Sequence, residues 1–159
     1  MIIRKAAKKD GQDLIKLFRA MVAYHQRIYT KDDKFYNREA ESVREIWKRF
    51  INKNIPDKSS QIWIAHDNGK PVAYAIGLIK ENIPVYSIKR YGFISDLYVD
   101  QKYRGKGVGK KLIDRLREFF RKEEIKFISL EVNHNNYDSI RFYEKCGFKE
   151  YHKTMRMRI

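Results

Sequence analysis

At 159 residues the chain is long enough to bury a self-sufficient core, and its 43% hydrophobic content argues against disorder despite a 35% charged fraction. The single cysteine excludes an internal disulfide, and the longest apolar run, residues 72–79, is far too short to span a bilayer. The formal charge of +15 raises nucleic-acid binding, but basic and acidic residues are interleaved, as in Lys31-Asp32-Asp33-Lys34, with no zinc-ligand spacing. The expectation is one domain over residues 1–159, cytoplasmic, without membrane, metal or nucleic-acid partner, its charge serving solubility and attraction of a polyanionic ligand.

Residues 2–6 read as a first strand, without the apolar core of a signal peptide. Asp10 can cap a helix whose Leu14, Leu17, Phe18, Met21, Val22 and His25 keep the helical period. Residues 29–36 form a polar, aromatic connection. A second helix over residues 41–51 carries Val43, Ile46, Trp47 and Phe50 on one face, and Pro56 closes it. Strands at 60–66 and 72–79 flank Asn68-Gly69, a strong hairpin signal. A fourth strand spans 93–99 and a helix spans 107–122, burying Val108, Leu112, Ile113, Leu116 and Phe120. A buried strand at 126–132, a short helix at 136–146 and a last strand at 148–158 complete the order. That alternation implies a mixed sheet with helices on both faces.

Between the fourth strand and its helix lies Tyr103-Arg104-Gly105-Lys106-Gly107-Val108-Gly109-Lys110-Lys111. A glycine-rich turn opening a helix presents unpaired backbone N–H groups at the positive end of the dipole, which suits a phosphate or diphosphate. It is not a P-loop, because Lys111 follows Gly109-Lys110 where a hydroxyl residue is needed and Arg104 replaces the first glycine. Nor is it a dinucleotide fingerprint, since Lys110 stands where the third glycine should be. What remains is Arg104-x-x-Gly107-x-Gly109. Further on comes a second block, Asn136-x-x-Ser139-x-x-Phe142-Tyr143-Glu144-Lys145-Cys146-Gly147-Phe148.

In this order the two blocks resemble the acyl-CoA loop and the following Asn-x-x-Ala-x-x-Phe-Tyr segment of the GNAT superfamily of N-acetyltransferases, with Ser139 replacing a small apolar residue. The resemblance covers roughly residues 93–148. It implies an α/β (α+β) fold: a mixed, mostly antiparallel central sheet of six to seven strands, flanked by four helices and splayed between the fourth and fifth strands. It also implies acetyl-CoA as co-substrate, no metal, and direct transfer to a primary amine in a ternary complex. The acceptor stays open among a small molecule, a peptide N-terminus and a lysine.

By the same resemblance, Arg104, Gly105, Lys106, Gly107, Val108, Gly109 and Lys110 grip the diphosphate. Leu97, Tyr98 and Val99 offer main-chain hydrogen bonds to the pantetheine arm. Asn136 bonds that arm, although it is equally suited to cap a helix. Tyr143 contacts the cofactor and is the general acid to the leaving thiolate, a phenol with pKa about 10 keeping its proton at neutral pH. Glu131 matches the glutamate proposed as base in ribosomal-protein alanine acetyltransferases, and Asp96 is the second candidate. Ser95 stands where diamine acetyltransferases carry a carboxylate.

His25, Tyr24, Tyr29 and Tyr36 are expected to pack or to line the acceptor side, and Cys146 to act as a small hydrophobe. A non-catalytic acyl-CoA sensor is the alternative reading. The edge of the last strand leaves a homodimer open.

Overall fold

The computed structural model describes residues 1–28, 40–155 and 157. The elements run β1 (Ile2–Lys5), α1 (Gly11–Ile28), α2 (Ala40–Asn54), β2 (Ser60–Asp67), β3 (Lys70–Glu81), β4 (Arg90–Val99), α3 (Val108–Lys122), β5 (Ile128–Leu130) and α4 (Tyr137–Lys145). Single 3-10 turns, Lys8–Asp10 and Gln101–Tyr103, precede α1 and the glycine loop. The described strands form one sheet in sequence order, antiparallel from β1 to β4 and parallel between β4 and β5.

The β2–β3 turn is Asn68-Gly69, both with positive φ (48° and 73°), as a two-residue hairpin of matching twist requires. Period-2 alternation then sorts β2 and β3 onto two faces. Ile62, Ile64, Tyr74 and Ile76 pack under α1 and α2 with Leu14, Phe18, Met21, Trp47 and Ile51. Ala65, Ala73 and Ala75 pack under α3 with Val108, Leu112, Ile113, Leu116 and Phe120. Small residues dominate this second face because α3 lies close. A Cβ on Gly77 would stand 2.8 Å from Leu116 and 2.9 Å from Phe120.

Four expectations need correction. The sheet has five strands among the described residues, not six or seven, because the described part of 148–158 forms no strand. Among the described residues no neighbour pairs with this segment, and Tyr151 and Met155 stand exposed. The fifth strand shrinks from 126–132 to Ile128–Leu130, half-buried, because β4 diverges from it. Ile46 is exposed, and α2 turns Trp47 and Ile51 inward instead. Asp10 ends the 3-10 turn before α1: its carboxylate takes both arms of Arg4 at 2.7 Å and the Ala7 N–H at 2.7 Å, tying β1 to the start of α1. The connection at 29–36 and Val43 fall outside what is described, the latter in its side chain only.

Candidate active site

The site begins with a fault in β4. Ile76 faces Asp96 across the β3–β4 ladder, yet the next residue, Gly77, faces Ile94, so Ser95 is an extra residue in β4. A bulge of this kind inverts which side each later residue takes. Ile94 packs under α3, and without the bulge Asp96 and Tyr98 would follow it there. Instead Tyr98 joins the α1–α2 face while Leu97 and Val99 pack under α3.

The backbone is re-aimed with the side chains. Before the bulge, the Gly92 N–H points to β5, donating to Phe127 at 2.9 Å. After it, the Asp100 N–H donates to the Val72 carbonyl at 2.9 Å. Hydrogen-bonded pairs alternate along an antiparallel ladder, so Tyr98 and Tyr74 form the next such pair. The main-chain groups of Leu97 and Val99 therefore face away from β3. On that side the pairing with β5 stops at Ile94–Leu130. Beyond that pair no described strand pairs with β4 on this side, where the resemblance implies a splay between the fourth and fifth strands. Of the three residues expected to line it, Leu97 and Val99 do so, while the main chain of Tyr98 is turned to β3.

The glycine loop sits at the end of this opening. Gly105 and Gly107 have φ of 73° and 77°, a left-handed conformation that side chains rarely adopt. The first α-helical bond of α3 runs from the Lys111 N–H to the Gly107 carbonyl at 3.0 Å. The amides of Val108, Gly109 and Lys110 thus have no acceptor four residues back, and they lie at the positive end of the helix dipole. Gly109 also allows α4 to approach, since a Cβ there would meet the Phe142 ring at 3.1 Å. Lys110 pairs with Asp114 at 2.8 Å, and the Lys106 ammonium lies 5.4 Å from the Tyr103 ring centre. Arg104 turns away from the loop. Its Nε donates to the Val99 carbonyl at 3.0 Å and its guanidinium lies 4.2 Å from the Tyr24 ring centre on α1.

Asn136 is buried at the N-cap of α4, where its side chain accepts from the Ser139 N–H at 3.3 Å. About two turns later, Tyr143 packs edge-on between Phe142 and Phe148. Burial, then the negative charge of Asp96, raise its phenol well above the ordinary tyrosine value, so it stays protonated at any physiological pH. Asp96 itself is buried, opposite Ile76 on the α1–α2 face, and accepts from the Ser95 hydroxyl at 2.7 Å. Glu131 lies exposed just past the end of β5. Of the two candidate carboxylates, Asp96 is the buried one, and its charge is felt at the Tyr143 phenol.

Cys146 is a buried free thiol whose pKa is pushed up by burial, which fits a packing role. His25 is half-buried on α1, its ring tilted 5.9 Å from that of Tyr24, while Tyr29 and Tyr36 lie outside the described residues. Asp10, Asp13 and His66 bring ligand-type atoms within 4.8 Å of one another, but both Asp10 oxygens are engaged by Arg4, and His66 Nε2 meets Asp13 at 3.0 Å. This cluster is an ion-pair network. Sequence reading missed the bulge and the Arg104–Tyr24 contact. The first had a signal, because Ile94 and Tyr98 share a parity that only a bulge can split; the second had none.

The comparisons follow from this geometry. The model of the acetyltransferase (GNAT) family matches residues 18–148. An uncharacterised N-acetyltransferase of Methanocaldococcus jannaschii is 26% identical over 148 residues; the alignment covers 93% of this chain but only 60% of that protein. Among solved structures, a tetramutant of the BH1408 protein of Bacillus halodurans superposes with a TM-score of 0.82 at 20% identity, covering 100% of both chains. A predicted acetyltransferase of Clostridium acetobutylicum, solved with acetyl-CoA, gives a TM-score of 0.76 at 23% identity over 99% of this chain and 95% of that one. The family model spans most of the chain, from α1 through the glycine loop to Phe148: this chain belongs to the GNAT family of acetyltransferases.

Proposed function

We propose that the protein transfers an acetyl group from acetyl-CoA to a primary amine by direct attack within a ternary complex. One observation carries this reading. The bulge at Ser95 turns the main chain of Leu97 and Val99 into a gap beside the glycine-rich start of α3, so an extended amide-bearing arm and a diphosphate find partners along one line. The free amides of Val108, Gly109 and Lys110 and the positive-φ glycines fit the diphosphate, and Leu97 and Val99 fit the arm.

Acetyl-CoA would supply the acetyl group already activated as a thioester. The chain's own residues do the rest. Main-chain donors of Leu97 and Val99 fix the arm and polarise the carbonyl. Asp96, on the α1–α2 face, accepts a proton from the incoming ammonium, directly or through a water held by Ser95. Tyr143, protonated because buried beside that carboxylate, donates its proton to the departing sulfur. Asn136 holds the start of α4, and with it Tyr143, in place, and is placed to bond the arm. Glu131, the other candidate base, stands at the exposed end of β5, where it can serve only through water. The acceptor approaches from the α1–α2 side and belongs to one of three classes: small molecule, peptide N-terminus or lysine.

The test is release of free coenzyme A from acetyl-CoA across a panel of amines, peptides and basic proteins. Release with at least one acceptor, dependent on Tyr143, supports the reading. Coenzyme A binding without release for any acceptor would favour a sensor instead.

A further inference from the structure

The family resemblance places Arg104 among the groups that hold the diphosphate, but the side chain is engaged elsewhere. It lies between two elements: its Nε caps the Val99 carbonyl at 3.0 Å, and its guanidinium covers the Tyr24 ring at 4.2 Å. The first contact occupies a main-chain acceptor on the open side of β4. The second pins the C-terminal part of α1, residues 11–28, to the floor of the loop. Both contacts use what arginine has and lysine lacks, a planar fork that can donate in-plane while stacking on a ring.

We propose that Arg104 is a positioning strut that fixes α1 against the end of β4 through Tyr24, setting the acceptor side of the site, rather than a ligand of the diphosphate. The inference rests on the acetyl-transfer reading for its kinetic part only. Two consequences separate the roles. A strut fails when either partner is changed, and it fails even when charge is kept. A phosphate ligand acts on coenzyme A affinity and is indifferent to Tyr24.

The test uses the whole chain and four variants: Tyr24→Phe, Tyr24→Leu, Arg104→Lys, and Tyr24→Leu combined with Arg104→Lys. Losing one stack or one capped carbonyl corresponds to roughly a fivefold effect on an equilibrium. Tyr24→Leu and Arg104→Lys should each raise the acceptor KM about fivefold while the Kd for coenzyme A by calorimetry stays within about twofold. Tyr24→Phe, which keeps the ring, should rescue.

A second readout needs no activity. In thermal unfolding the double variant should melt within about 1 °C of the worse single variant, because both changes break one contact. Additive melting shifts would overturn the strut. So would an Arg104→Lys protein with an unchanged acceptor KM, or one whose coenzyme A affinity falls tenfold or more. If the unmodified chain does not bind coenzyme A, the function reading fails, but the thermal cycle still decides the strut.

Discussion

The two faces of the sheet are built by different rules. Under α3 the sheet presents alanine and glycine, namely Ala65, Ala73, Ala75, Gly77 and Gly92, so the helix sinks close and its N-terminus is held beside the splay. Between the sheet and α1–α2 the space is filled by aromatic bulk, from the helices and from Tyr74 and Tyr98 of the strands. Trp47 stacks on Phe18 at 3.9 Å and on Phe50 at 5.0 Å, and Tyr74 bridges to Tyr98 at 6.5 Å. The first face is a close-tolerance mount for a fixed ligand geometry. The second is a filled wall whose rings set the shape of the acceptor side, and the bulge at Ser95 allows one strand to serve both.

Breaking the tight face has the largest effect. Gly107→Glu puts a side chain at φ 77° and a carboxylate where the diphosphate should sit. No atom lies within 4 Å of the added Cβ, so the cost to the fold is the strained left-handed backbone alone, about 1–2 kcal/mol, while coenzyme A affinity should fall at least about 100-fold by calorimetry. Next, Tyr143→Phe should lower kcat about 100-fold with coenzyme A affinity retained. Because the phenol is held above its usual value, the rate of the unmodified enzyme should show no decline from tyrosine ionisation below about pH 10. Gly77→Val, with its Cβ 2.8 Å from Leu116, should cost about 1–3 kcal/mol in urea unfolding by lifting α3 from the sheet.

Smaller effects probe the other side. The Asp10 carboxyl is lowered to about 2, first by its bond to Arg4. A lowered folded-state value contributes stability above the unfolded value near 4 and loses it as pH falls towards 2. Asp10→Asn should therefore cost about 1–2 kcal/mol at pH 7 and almost nothing at pH 2, read from urea midpoints. Last, Trp47→Phe removes a buried indole N–H that has no hydrogen-bond partner among the described residues. The lost packing is offset by removing that unpaired donor, so the change should stay under about 1 kcal/mol.

The tight face was legible in the sequence because its signals are local. Glycine at Gly107 reports a backbone that only glycine adopts readily, the α3 period names its buried residues except Phe119, and Asn68-Gly69 dictates a hairpin. The splay was anticipated from resemblance, and the bulge explains how β4 achieves it. What sequence could not supply is non-local. Whether residues 148–158 find a strand to pair with, which carboxylate ends beside Tyr143, and where Arg104 turns all depend on contacts between segments far apart in the chain.

The most direct test of the central claim is an amide NMR titration of the chain with coenzyme A. The account predicts saturable shifts, at a Kd of micromolar order, in Gly105, Gly107, Val108, Gly109 and Lys110, followed by Leu97 and Val99, with the Tyr98 amide moving least of that trio. Shifts confined to other surfaces, or none at millimolar coenzyme A, would contradict it.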